Sequence, residues 1–219
     1  MDNATKIIIV DDHSLFREGI KLLIETEGMG EVIAEAKNGI EFLELIDKKK
    51  PDLVLMDIEM PIMDGLEATR KAKAIYPDIK ILILTMLSQR KNYTELIIAG
   101  AMGFVLKSSG KLELEKAIKT VIRGENYFSG EFLQHIILNT SKLQIITDNF
   151  SGINVDFTDK ELEIMKCFCE GLTATEIAEK LHRSIKTIEA HRSKLLQKTD
   201  SKNTINLVLY AIKNKLVNI

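Results

Sequence analysis

Asp11 and Asp12 close the run KIIIVDD (Lys6 to Asp12), and Asp57 closes the run DLVLMD (Asp52 to Asp57). Both runs have the short, apolar character of a buried strand. If these strands are parallel neighbours, three carboxylates meet in one small cleft, where each negative charge disfavours ionisation of the next. A divalent cation or a buried Lys must then compensate. A donor set made only of carboxylates suits a hard, oxygen-seeking ion such as Mg2+.

The elements that must position these acids are legible over residues 1–123. Five apolar runs read as strands: Lys6 to Val10, Val32 to Ala36, Leu53 to Asp57, Ile79 to Thr85 and Gly103 to Lys107. Between and after them lie helical patterns at about Ser14 to Glu27, Gly39 to Lys49, Gly65 to Ile75, Arg90 to Ala99 and Lys111 to Arg123. Alternation of this kind predicts an α/β fold, a doubly wound, five-stranded parallel (βα)5 sheet in the order 2-1-3-4-5. Ligands of such sheets bind beyond the carboxyl ends of the strands, at the point where strand order reverses. Asp11, Asp12, Asp57, Thr85 and Lys107 all sit at or just past a strand end, so the fold predicts one site containing all five.

The strings VDDH (Val10 to His13), MDIEMPIMDG (Met56 to Gly65), LT (Leu84 to Thr85) and GFVLK (Gly103 to Lys107) occur in order, with 22 residues from Thr85 to Lys107. Taken singly, Thr85 reads as an ordinary strand-end hydroxyl and Lys107 as a solvated surface lysine. Together the strings resemble a two-component receiver domain over nearly all of residues 1–123, with the flavodoxin-like order of strands. The resemblance implies that Asp57 is a phosphoacceptor. It also implies that Asp11, Asp12, Asp57 and the main-chain carbonyl of Glu59 hold Mg2+. Thr85 and Lys107 would bind phosphoryl oxygens, and Thr85 and Phe104 would form a switch in which the aromatic turns inward, reshaping the face of helix 4, strand 5 and helix 5. A carboxylate is already ionised at neutral pH, so Asp57 can attack phosphorus without a general base once positive charge quenches the repulsion. Pro61 and Gly65 are expected to shape the loop after Asp57. Glu59 and Leu87 occupy positions that, in the family, influence the access of water to the acyl phosphate.

From Gly124 to about Val155 the pattern loosens into one helical piece, Glu131 to Asn139, and a polar stretch containing TDNFSGIN. Residues 124–154 are therefore expected to be an interdomain helix and linker, leaving a receiver at 1–123 and a second domain at 155–219. The second domain is predicted to be all-α, with four helices at about Asp159 to Glu170, Ala174 to Leu181, Ile185 to Lys198 and Thr204 to Lys213. Thr158 with Glu161, and Thr173 with Glu176, fit capping boxes. Ser184 is the expected cap of the third helix, and Ser201 or Asn203 that of the fourth.

The string FTDKELEIMKCFCEGLTATEIAEKLHRSIKTIEAHRSKLLQKT, Phe157 to Thr199, resembles the LuxR-type helix-turn-helix at the C-terminus of NarL/FixJ response regulators. In this motif the second helix enters the major groove of double-stranded DNA. Ile188, Leu195 and Leu196 are expected to face the core. The predicted DNA-binding residues are Lys186, Thr187, Glu189, Ala190, Arg192, Ser193, Lys194 and Lys198. Glu189 and Ser193 would read bases, with Ala190 available for a thymine methyl. Lys186, Arg192, Lys194, Lys198 and Lys202 would contact phosphates, which position a protein without reading sequence. An acidic Glu189 would repel phosphate and favour a cytosine amino group. The commonest family form has Leu where Thr199 stands, and Thr199 is expected to loosen the end of this helix.

Charge distribution agrees with this division. The whole chain, at minus 2, suggests neither a nucleic-acid binder nor a membrane protein. Yet residues 1–154 hold 19 basic and 23 acidic side chains, residues 155–219 hold 11 and 9, and residues 180–202 alone hold seven basic against two acidic. Cys167 and Cys169, with no second pair, are a poor zinc or disulfide frame and read as small core residues. No apolar stretch approaches the roughly 20 residues that span a bilayer. The polar N-terminus lacks a signal-peptide core, so a cytoplasmic protein with no membrane partner is expected.

The expected function is a transcriptional regulator. A sensor histidine kinase phosphorylates Asp57, which promotes homodimer formation and sequence-specific DNA binding. Such a chain is not an enzyme beyond self-phosphorylation from small donors and self-dephosphorylation. One alternative is a receiver that is never phosphorylated and acts as an interaction module, its basic helix binding RNA or protein. Another is an aspartyl-phosphate enzyme, which would need a general acid and a cap over the site; no cap insertion is visible.

Overall fold

The computed structural model describes residues 4–86, 93–129, 132, 156–201, 203–214, 216 and 217. The chain divides into two compact units, Met1–Tyr127 and Phe128–Ile219. The expected Glu131 to Asn139 helix, apart from Phe132, lies outside the described residues, as do Leu87 and Lys202.

In the first unit, β1 (Lys6–Val10), β3 (Leu53–Asp57) and β4 (Ile81–Thr85) are buried along almost their whole length. Their unbroken apolar character follows from helices covering both faces of a parallel sheet. The strands pair in the order β2 (Glu31–Ala36), β1, β3, β4, β5 (Gly103–Leu106), and each of these pairs is parallel. Five helices alternate with them: α1 (Ser14–Thr26), α2 (Gly39–Lys49), α3 (Gly65–Ile75), α4 (Tyr93–Ile98) and α5 (Lys111–Ile122). Ile7, Ile9, Leu55, Leu82, Leu84 and Val105 pack with Leu114, Ile118 and Val121 of α5 in one apolar cluster.

A sixth strand, β6 (Tyr127–Phe128), extends the sheet beside β5, where five strands were expected. After α5 the chain turns at Gly124, whose φ of 84° suits glycine, and the Tyr127 N–H donates to the Met102 carbonyl at 3.0 Å. Two residues are too few to carry a periodicity, so this strand leaves no pattern to read. Gly65 has a tighter role than turning the loop. A Cβ there would lie 2.0 Å from the Asp57 carbonyl oxygen, so only glycine lets α3 start this close behind β3.

In the second unit, α6 (Asp159–Cys169), α7 (Ala174–Lys180), α8 (Ile185–Lys198) and α9 (Thr204–Lys213) follow one another. Both capping boxes form, and each satisfies donors that a helix start otherwise leaves open. Ser184 caps α8 and Asn203, not Ser201, caps α9. Ile164, Met165, Ile177, Ile188, Leu195 and Leu207 are fully buried among these helices. Cys167 and Cys169 are buried free thiols, and burial pushes Cys169 up to about 12, far from reactivity at neutral pH. Among the described residues, no helix is long and apolar enough to cross a membrane.

Candidate functional site

The parallel register sets Val10 against Met56, Asp57 against Leu84 and Thr85 against Leu106. The residues just beyond these pairs are therefore neighbours in space. Asp57 and Asp11 are almost fully buried, and Lys107 places its ammonium 2.8 Å from Asp57 Oδ2 and 2.6 Å from Asp11 Oδ2. The Asp57 contact is a hydrogen bond, whereas Asp11 Oδ2 accepts none despite the short distance. At this distance the ammonium holds Asp11 Oδ2 chiefly by charge.

The electrostatics follow from burial. Burial pushes Asp57 above the usual carboxylate range, and Asp11 adds to the rise, against the pull of Lys107 and of the Ile58 N–H, which donates to Asp57 Oδ1 at 2.7 Å. Burial works against the Lys107 charge as well, but its bonds and charge contacts with Asp11 and Asp57 outweigh that and hold it above its ordinary value. Lys107, with 9% of its side chain exposed, is therefore a cation fixed inside the cluster rather than a solvated surface lysine.

Asp12 is more exposed, and ligand atoms of Asp11, Asp12, His13 and Asp57 all lie within 4.8 Å of one another. Three carboxylates gathered this closely fit a hard divalent ion. His13 was not singled out from the sequence, although VDDH contains it; its Nδ1 lies 2.8 Å from Asp12. Arg17 was also missed. Its Nη1 donates to the Asp11 main-chain carbonyl at 2.6 Å, and its Nε reaches Glu35, tying α1 to the loop that carries the acids. Glu59 is exposed on the loop after Asp57. Thr85 is fully buried at the end of β4 and donates from its hydroxyl to the Met86 carbonyl at 3.1 Å. Phe104, expected to turn inward, is fully buried in this structure.

In the second unit, α7 and α8 form the two helices of a helix-turn-helix. The turn passes through His182, with φ 51°, and Ser184 Oγ accepts the Thr187 N–H. On α8, Lys186, Ala190, Ser193 and Lys194 are exposed, Thr187 is half-buried, and Ile188 and Leu195 are wholly buried. Leu196, expected in the core, is only half-buried.

The expected DNA contacts Glu189, Lys194 and Lys198 have partners within this unit, Lys194 reaching Glu161 at 3.2 Å, and Thr199 also departs from expectation. Glu189 is paired with Arg192 at 2.8 Å, so its charge is offset within the helix. Lys198 is drawn to Glu161 at 2.8 Å, to the Asp156 carbonyl and to the Phe157 ring, because a carboxylate buried to 1% exposure needs a paired charge. Thr199 does not loosen the helix end. It is buried, and its hydroxyl donates to the Leu195 carbonyl and can accept from the Ser201 hydroxyl, both at 2.8 Å.

Comparison with known proteins covers both units. Residues 7–119 match the family described as response regulator receiver domain, and residues 155–211 that described as bacterial regulatory proteins, luxR family. The chain is 36% identical to the oxygen regulatory protein NreC of Staphylococcus epidermidis, over 97% of this chain and 99% of that protein. It is 33% identical to the transcriptional regulatory protein DegU of Brevibacillus brevis, over 100% of this chain and 97% of that one. Among solved structures it is similar to that of two RcsB dimers bound to two parallel DNAs, with 26% identity, a TM-score of 0.55, and coverage of 99% and 100%.

Proposed function

The chain belongs to the two-component response regulators that join a receiver domain to a LuxR-type helix-turn-helix, and we propose that Asp57 is its phosphoacceptor, charged by a sensor histidine kinase. Phosphorylation then promotes a homodimer that binds double-stranded DNA sequence-specifically, in the cytoplasm. The observation that carries this reading is the buried Lys107 ammonium, 2.8 Å from Asp57 and 2.6 Å from Asp11.

The chemistry asked of these residues is mostly positioning and electrostatic stabilisation. An Asp57 oxygen attacks phosphorus as the bond to the donor breaks, and the leaving group departs with the electron pair. The Ile58 N–H fixes the orientation of the Asp57 carboxylate. Lys107, already at the acceptor, pairs with a phosphoryl oxygen. Thr85 exchanges its bond to the Met86 carbonyl for one to a second phosphoryl oxygen, with Phe104 filling the space behind it. Mg2+, held by Asp11, Asp12, Asp57 and the Glu59 main-chain carbonyl, would neutralise charge on the phosphoryl oxygens. Such a local charge event biases an element with two arrangements.

On DNA, Lys186 and Lys194 are the phosphate contacts, Thr187 supports the start of α8, and Ala190 and Ser193 face base edges. Glu189 reads bases with its charge offset by Arg192, and Lys198 anchors the helix through Glu161. The structure of RcsB dimers on DNA supports a dimeric reading by a relative. Intact mass after treatment with acetyl phosphate and Mg2+ tests the proposal. Wild type should gain one phosphoryl group and Asp57→Ala none; equal gain by both would remove Asp57 from its role.

A further inference from the structure

One aromatic ring touches the reactive cluster without being a ligand to anything. Phe16 lies in the first turn of α1, half-buried, and packs with Ile20 and Leu23 against the apolar cluster of the first unit. Its ring centroid is 4.7 Å from Lys107 Nζ. That ammonium is therefore held from two sides, by the carboxylates of Asp11 and Asp57 and by a π face. Phe16 also walls a groove of about 660 Å³ with His13, Leu15, Ile20, Met86 and Lys107. The Lys107 side chain is only 9% exposed, so the ring meets a largely desolvated ammonium, for which such an attraction is strongest.

The two kinds of partner respond differently when the site is used. Asp11 and Asp57 are the same groups that a divalent cation and an incoming phosphoryl group would engage, and engaging them loosens their hold on Lys107. The ring is neither an acid nor a metal ligand, so its contact with Lys107 does not depend on what Asp11 and Asp57 bind. Packing alone does not require it, because an aliphatic side chain would also cover Ile20 and Leu23.

We propose that Phe16 is a positioning residue for phosphoryl transfer: its ring face keeps the Lys107 ammonium at the acceptor while Asp11 and Asp57 change partners. This rests on the reading of Asp57 as the phosphoacceptor. With acetyl phosphate as donor, the Asp57 oxygen to phosphorus bond forms as the phosphorus to oxygen bond of the donor breaks, and acetate leaves with the electron pair. Phe16 exchanges no proton and makes no bond.

The test compares full-length wild type, Phe16→Leu and Phe16→Trp, phosphorylated by acetyl phosphate over a range of donor concentrations at saturating Mg2+. Phe16→Leu keeps apolar volume and loses the π face, whereas Trp offers the strongest π face of the three. The limiting rate of Phe16→Leu should fall about three- to tenfold, with half-saturation by donor little changed, and Phe16→Trp should restore it. The natural chain has no Trp, so Phe16→Trp carries a single indole. Adding Lys107→Met should shift its emission with neither metal nor donor present, a readout independent of phosphorylation.

Equal limiting rates for wild type and Phe16→Leu would overturn the proposal while leaving Asp57 as acceptor. So would a Phe16→Trp chain as slow as Phe16→Leu, the pattern expected of a packing role alone. An indole indifferent to Lys107→Met would show that the contact does not exist, and overturns it even if Phe16→Leu fails to fold. If wild type gains no phosphoryl group, the reading of Asp57 falls and the proposal with it.

Discussion

Lys107 faces two buried carboxylates that would otherwise only repel each other, with Asp12 close by. Removing a cation from such a cluster leaves the acids buried and uncompensated, which costs about 3–5 kcal/mol where a buried pair is broken. Lys107→Met should therefore lower unfolding stability in metal-free buffer by roughly 3 kcal/mol, measured by urea titration. Asp57→Asn should behave oppositely. It removes one of the clustered acids, one whose charge burial already disfavours, so its stability should match or exceed that of wild type. A large loss in Asp57→Asn would mean that the Asp57 to Lys107 pair is a net stabiliser, contrary to the electrostatics above. Asp11, Asp12, Asp57 and Lys107 were legible as a group because each stands at a strand end, and parallel strands bring such ends together. His13, Arg17 and Phe16 were not, because what each touches depends on the helical turn it occupies and on partners as distant as Glu35 and Lys107.

At the scale of elements, the strands of the receiver were readable from apolar runs and the helix starts from capping residues, because both signals are local. What crosses between elements was hidden. Glu161 illustrates this: from the sequence it is only the second half of a capping box, yet it also binds Lys194 and Lys198 of α8. Burial alone would push Glu161 up, but the bond from Lys198, the Thr158 N–H and Lys194 outweigh it and hold the carboxyl at about 2, below its ordinary value of 4.5. The folded form thus binds its proton more weakly than the unfolded chain, and the resulting stability is present above pH 4.5 and is lost as pH falls from there through about 2. A shift of this size is worth at most about 3 kcal/mol, and the solvent exposure of Lys194 reduces this to roughly 1–2. Glu161→Gln should flatten the acid limb of the helix-turn-helix unfolding curve between those pH values. An acid limb identical to that of wild type would show that Glu161 is not the group titrating there.

For the whole molecule, the net charge of minus 2 conceals a concentration of basic side chains on and around α8. Contacts to phosphate make affinity fall with salt, by about 0.9 in the log-log slope for each phosphate neutralised. Lys186→Ala should weaken binding to all duplexes alike and reduce that slope by about one, whereas Glu189→Gln should change which sequences are preferred. A Lys186→Ala chain with an altered sequence preference and an unchanged slope would reverse these assignments. The proposed function requires that phosphorylation of the receiver govern DNA binding by the helix-turn-helix. The most direct test of that requirement is the affinity of full-length protein for a duplex selected from genomic DNA, at fixed salt, with and without acetyl phosphate and Mg2+, for wild type and Asp57→Ala. Wild type should bind specifically and more tightly on phosphorylation, and Asp57→Ala should not respond. Specific binding of equal strength in all four conditions would contradict the requirement.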